Sequence, residues 1–188
     1  MQHYLAVLTF LILISMVFYR TITLKKLGID AMQFGKLDKS DFLLPPLFLF
    51  YFYLVIASAF DLPTIAGTLL FNSGLIAWVG VLFCFLGIAF FAWSVITFGK
   101  SFRVGIDVET PGKLITTGAF AVSRNPIYVA FALVLAGQFL IQPNIVLLIY
   151  LCAGYWLFNR QILREEEFLV SHYGNEYQDY YHKVRRYL

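Results

Sequence analysis

The chain has 188 residues, of which 60% are hydrophobic, 19% aromatic and 13% charged, with a net charge of +3 and a mean hydropathy of +0.75. A soluble domain carries about 25% charged residues, so this composition excludes disordered, collagen-like and coiled-coil classes, argues against a water-soluble globule and places most of the chain in lipid. The small positive charge implies no basic surface for nucleic acid, and Cys84 and Cys152, each in an apolar run, form neither a disulfide framework nor a metal motif.

A bilayer core of about 30 Å needs roughly 20 apolar helical residues. Tyr4 to Tyr19 is a short apolar run closed by Arg20. It lacks a basic leader and a small-residue cleavage site, so a retained signal-anchor helix is expected. Phe42 to Phe60 is the second span, with Ser40 and Asp41 as capping residues and Pro45 and Pro46 in its first turn. Asp61 to Ser73 either extends the next helix or lies at the interface. Gly74 to Phe98 is the third span. Pro126 to Ile141 and Asn144 to Leu163 are the fourth and fifth, joined by the tight hairpin Gln142-Pro143-Asn144.

The 14 Lys and Arg residues all fall at one side of this map: five in Arg20–Lys39, four in Lys100–Arg124 and five in Arg160–Arg186. The positive-inside rule then makes the C-terminus cytoplasmic and the N-terminus external, as five crossings require. The expectation is an all-α polytopic transmembrane bundle of about five spans. It forms a single domain over residues 1–188, with a cytoplasmic loop and C-terminal helices.

Two cytoplasmic segments carry the polar residues. In Gly99–Asn125, Thr110-Pro111-Gly112 and Gly118 mark turns, while Leu114, Ile115, Phe120 and Val122 allow the loop to pack back on the bundle. Asn125 and Pro126 suit the start of a helix, whose exposed N–H groups can receive a carboxylate. On local grounds alone the favoured reading is a capped helix with a snorkelling Arg124. The second segment, Arg160 to Leu169, continues the fifth helix toward Gly174. The 4-3-4 spacing of Ile162, Glu166, Leu169 and Tyr173 puts Glu166 on an otherwise apolar face. A carboxylate there is costly unless paired; the alternative is a solvated acidic run paired with Arg164. Beyond Gly174, Tyr177, Tyr181 and Val184 form an apolar stripe beside Lys183, Arg185 and Arg186, which suits a helix lying on the anionic inner leaflet. His172 and His182 have no partner at metal-ligand spacing, and HExxH, GxSxG, P-loop and GxGxxG motifs are missing.

The element Arg124-Asn-Pro-Ile-Tyr128, followed one hairpin later by Glu165-Glu166-x-x-Leu169-x-x-x-Tyr173-Gly174-x-x-Tyr177-x-x-Tyr180, resembles the isoprenylcysteine carboxyl methyltransferase and phospholipid methyltransferase superfamily of integral membrane enzymes. The resemblance covers roughly Gly99 to Leu188. It implies S-adenosyl-L-methionine as cofactor and a lipophilic acceptor (carboxylate, amine or thiol) entering from the inner leaflet, with no metal and no nucleic acid. It also implies that Gly112, Lys113, Leu114, Ile115, Phe120, Asn125, Pro126, Ile127, Tyr128, Glu165 and Glu166 bind the cofactor.

Arg160, Arg164 and Glu166 are the candidate catalytic residues. An arginine can hold an anionic acceptor, and Glu166 can orient the cofactor or take a proton. Asn125 stands where the isoprenylcysteine branch has His, and Gln161 where it has Arg, so the acceptor stays open. Two other readings remain: an NADPH-dependent membrane reductase of sterol or enone type, whose C-terminal hairpin is similar, and a non-catalytic membrane scaffold.

Overall fold

A computed structural model describes residues 1–29, 31, 44–65, 67–102 and 112–188. The described elements are helical: α1 (Gln2–Lys26), α2 (Leu44–Ala59), α3 (Gly74–Phe98), α4 (Ala119–Val122), α5 (Pro126–Ile141), α6 (Ile145–Tyr173) and α7 (Asn175–Lys183), with a 3-10 turn at Gly99–Ser101. Three of them, α1, α3 with its 3-10 extension, and α6, are long and apolar enough to cross a membrane; Pro46–Ala59 and α5 are shorter apolar helices.

The third and fourth expected spans coincide with α3 and α5. The first does not stop at Arg20. It runs on to Lys26, and Arg20 Nη2 donates to the Gly99 carbonyl at the end of α3. Asp61–Ser73 does not extend α3: Ser73 caps that helix by accepting from the Ile76 N–H. The loop instead docks on the α5–α6 hairpin. Leu70 donates to the Pro143 carbonyl at 2.8 Å, Ile145 to the Thr68 carbonyl at 2.9 Å, and the Asn144 amide to the Thr68 hydroxyl at 2.6 Å. The expected Ser40–Asp41 cap and the Thr110-Pro111 turn lie outside the described residues.

The helices alternate in direction. Arg20 near the end of α1 meets Gly99 at the end of α3. At the opposite face His3, Asp61, Asn72 and Gln142, from the far ends of α1, α2, α3 and α5, line a cavity of about 380 Å³.

The α3–α5 pair is the axis of the bundle. A Cβ on Gly137 would come within 2.6 Å of Cys84 Sγ and of the Gly80 carbonyl oxygen, and one on Gly80 within 2.6 Å of the Gly137 carbonyl oxygen. Lipid offers no hydrophobic drive between helices, so backbone proximity and dense packing must supply the attraction. Around this seam Ala6, Phe10, Tyr51, Val55, Val81, Cys84, Ile141 and Leu147 form one buried cluster, and Leu13, Leu24, Phe91, Val95, Ala130 and Val134 belong to a second.

Gln138 is 2% exposed, and its amide donates to the Ala6 carbonyl at 2.9 Å and the Thr9 hydroxyl at 3.3 Å, tying α5 to α1. Interhelical hydrogen bonds of this kind in membranes contribute about 0.6 kcal/mol on average. Gln138→Leu is therefore expected to lower the melting temperature in detergent by only about 1–3 °C, as followed by intrinsic fluorescence.

Candidate active site

The 29 residues of α6 span about 44 Å at 1.5 Å per residue. A bilayer core takes about 30 Å of that. The apolar part of the helix begins at the hairpin, so its last turns, with Glu165 and Glu166, project beyond lipid. They meet residues 112–125 and α7 to form a cap. Phe120, Tyr177 and Tyr180 are its buried centre, and Phe98, Leu114, Ile115, Leu169, Tyr173 and Val184 pack around them. Tyr180 donates to the Phe120 carbonyl at 2.7 Å, and Tyr173 to the Gly112 carbonyl. Burial pushes the Tyr177 and Tyr180 phenols up from their ordinary values, so both stay neutral donors.

This corrects the reading of the C-terminal helix as a surface anchor. Tyr177 and Tyr180 are 1% and 7% exposed and face protein. The buried pair is three residues apart, where the expected stripe ran from Tyr177 to Tyr181. Tyr181 stays exposed and carries the Arg124 guanidinium 3.8 Å above its ring.

The two adjacent glutamates have different surroundings. Glu165 is partly buried, and its Oε1 accepts from Tyr128 Oη at 2.6 Å and Gln161 Nε2 at 3.1 Å. Tyr128 is held against Phe158, with ring centroids 5.7 Å apart. Glu166 lies on the stripe its spacing predicts, 6% exposed and close to fully buried Ile162 in sequence. Its Oε1 accepts from Arg124 Nη2 at 3.0 Å, Arg124 Nε at 3.2 Å and Asn125 Nδ2 at 3.3 Å. Its Oε2 accepts from Arg186 Nη2 at 2.8 Å and Nε at 3.1 Å. That pairing holds the Arg186 guanidinium above its ordinary pKa. Arg124 and Arg186, which sequence patterning had left as snorkelling and surface charge, are therefore integral to the site.

Asn125 occupies the N-cap position of α5, yet its side chain does not cap the helix. It is turned to Glu166 and to the Arg186 carbonyl, 3.2 Å away. The first turn of α5, with Pro126 buried and Ile127 and Tyr128 partly buried, has no side-chain cap among the described residues. A helix N-terminus in that state attracts an anion.

The remaining candidates are dispersed around this centre. Gly112 and Lys113 are exposed; Leu114, Ile115 and Phe120 commit their side chains to the cap core. Arg160 and Arg164 share an exposed face of α6, with the Arg160 guanidinium 5.7 Å from the Trp156 ring centroid.

Comparison with known proteins gives a consistent picture. The probable protein-S-isoprenylcysteine O-methyltransferase of Oryza sativa subsp. indica is 30% identical over 112 residues, covering 58% of this chain and 59% of that protein. The protein-S-isoprenylcysteine O-methyltransferase of Tribolium castaneum is 28% identical over 109 residues, covering 56% and 39%. That of Schizosaccharomyces pombe is 35% identical over 72 residues, covering 38% and 30%. The chain thus spans less than two thirds of the length of each of these relatives. Residues 75–176, from the start of α3 into α7, match the phospholipid methyltransferase family, and with more than half its length in that match the chain belongs to this family.

Proposed function

We propose that the protein is a five-span membrane enzyme that transfers a methyl group from S-adenosylmethionine to a lipophilic acceptor at the cytoplasmic face. The observation that carries this reading is the pairing of opposite binding capacities at one point. The uncapped N-terminus of α5 takes an anion, and the Glu165 carboxylate takes a cation or a hydroxyl, with Tyr128 reaching from the first to the second. An amino-acid group presents a carboxylate and an ammonium a few ångströms apart, so these residues fit that half of the cofactor.

Bound S-adenosylmethionine supplies a methyl group already activated on a sulfonium sulfur. The chain's own task is positioning and exclusion of water. Glu165, oriented by Tyr128 and Gln161, fixes the cationic end. The first turn of α5, from Pro126 to Tyr128, fixes the carboxylate. The backbone of Gly112–Ile115, whose Gly112 carbonyl accepts from Tyr173 about two turns along α6 from Glu165, would cover the remainder of the cofactor. Arg160 and Arg164, at the level where α6 leaves lipid, suit the anionic headgroup of an acceptor. Segregation of the described basic residues at the cap end supports a cytoplasmic C-terminus and an external N-terminus.

Calorimetric titration of purified protein with S-adenosylhomocysteine tests the reading. Wild type is expected to bind. Glu165→Ala is expected to weaken binding roughly tenfold to a hundredfold, because a charge-assisted contact in a partly buried site is lost. Tyr128→Phe should cost less, since the ring stays. No wild-type binding at millimolar ligand overturns the proposal, and binding of NADPH in its place would favour a reductase.

A further inference from the structure

We infer that Glu166 is a positioning residue rather than a ligand-binding one, and that it holds residues 181–187 as a strap across the mouth between α5 and α6. The inference rests on the proposed cofactor site.

Five N–H donors converge on the Glu166 carboxylate, three from Arg124 and Asn125 on one oxygen and two from Arg186 on the other. A carboxylate has about four lone-pair sites, so no acceptor capacity is left for a ligand. Glu165, one residue back and about 100° around the helix, points instead toward Tyr128.

The strap is tied on both sides of the mouth. On the α5 side, Arg124 Nη1 donates to the carbonyls of Tyr181 at 2.7 Å and Val184 at 3.0 Å. The Arg124 backbone N–H donates to the Arg185 carbonyl at 2.9 Å, and Ser123 Oγ and Asn125 Nδ2 donate to the Arg186 carbonyl, each at 3.2 Å. On the α6 side, Arg186 grips Glu166, and Tyr187 Oη donates to Asn159 Oδ1 at 2.9 Å. Asn159 and Glu166 are seven residues apart and share a face of α6 next to the one that carries Glu165, and Asn125 precedes the turn that holds Tyr128. The strap therefore bridges α5 and α6 along one side of the Glu165–Tyr128 pair, where it would narrow the mouth of the proposed site.

Exposure tells which link yields. The Arg124 side chain is 6% exposed and that of Arg186 is 32%, against 8% for Glu166. Screening by water weakens the Arg186 pair, whereas Arg124–Glu166 is shielded and costly to separate. Arg124–Glu166 is the fixed post, and Arg186 is the arm that opens.

The test uses full-length protein in lipid nanodiscs, with wild type, Arg186→Ala, Arg186→Lys and Glu166→Gln. Amide hydrogen exchange of residues 181–188, without ligand, reads the strap itself. Arg186→Ala is expected to speed exchange there by roughly tenfold while the protein melts within about 2 °C of wild type. Arg186→Lys should restore part of the protection, because it keeps the charge and loses the fork. Dissociation of S-adenosylhomocysteine in stopped flow reads the guarding role. Its rate should rise roughly tenfold in Arg186→Ala and in Glu166→Gln. Unchanged exchange in Arg186→Ala overturns the strap. Faster exchange with unchanged dissociation shows that the strap exists but does not guard the site, and overturns the positioning role. A wild type that binds no cofactor removes the proposed function and the guarding role together, and the exchange result still decides the strap.

Discussion

Gly137→Leu is expected to prevent the α3–α5 pair from closing. The contacts that a Cβ would make here, 2.6 Å from the Gly80 carbonyl oxygen and 2.9 Å from the Cys84 backbone nitrogen, are to main-chain atoms of another helix. Flexible side chains can swing aside, but a helix backbone moves only as a unit. Relief therefore needs the two helices to separate along their length, which also loosens Cys84, Val134 and Ala130 in the buried clusters. Overpacking costs about 1–3 kcal/mol where side chains can adjust, and this position belongs at or above the top of that range. The melting temperature in detergent should fall by on the order of 10 °C, with loss of monodisperse protein on size exclusion. Gly74→Ala is the control, because nothing lies within 4 Å of its Cβ position; it should leave melting unchanged. Equal behaviour of the two variants would show that the close crossing is not what holds the bundle.

Arg124→Ala is expected to dismantle the cap while leaving the membrane helices intact. The substitution removes two bonds to the Glu166 carboxylate, two to the carbonyls of Tyr181 and Val184, and the stacking on Tyr181. Removing one partner of a buried ion pair costs about 3–5 kcal/mol, since the other charge is left without compensation. Arg186 remains on Glu166, so the lower end, about 3 kcal/mol, applies. In a chain of this size that lowers melting by roughly 6–12 °C. Limited proteolysis should cut within residues 175–188 before any cut in α3 or α5. Arg124→Lys should recover little, since an ammonium cannot reach the carboxylate and two carbonyls at once. Wild-type protease resistance in Arg124→Ala would show that the cap stands on its aromatic cluster alone.

The two halves of the chain differ in how much of them can be read from sequence. Pro126, the Gln142-Pro143-Asn144 turn and the capping Ser73 mark helix limits through local chemistry, and α3, α5 and the start of α6 lie where those residues put them. The odd polar position of Glu166 is equally local, because helical spacing alone places it on an apolar face. Its partners are not local. Arg186 is 20 residues away and Arg124 is 42. Nothing in the basic run Lys183–Arg186 separates an arginine facing a buried carboxylate from one facing anionic lipid. Tyr180 escaped the amphipathic pattern for a related reason: its burial depends on the Phe120 carbonyl, a partner from another segment. The division of labour between Glu165 and Glu166 likewise appears only when α5 is set beside α6.

The unbroken α6 works as a depth gauge. Its hairpin end is pinned by the Thr68 and Pro143 carbonyl bonds, and Glu165 lies 21 residues along from Asn144, or about 31 Å. That matches the hydrocarbon thickness of a typical bilayer, about 30 Å. In a bilayer of that thickness, with the hairpin at one surface, the helix length alone would set the carboxylate at headgroup height on the other. Under the proposed function, acceptors would be sorted by how far their reactive atom stands from the end of their own apolar tail, and a thicker or thinner membrane would shift that sorting.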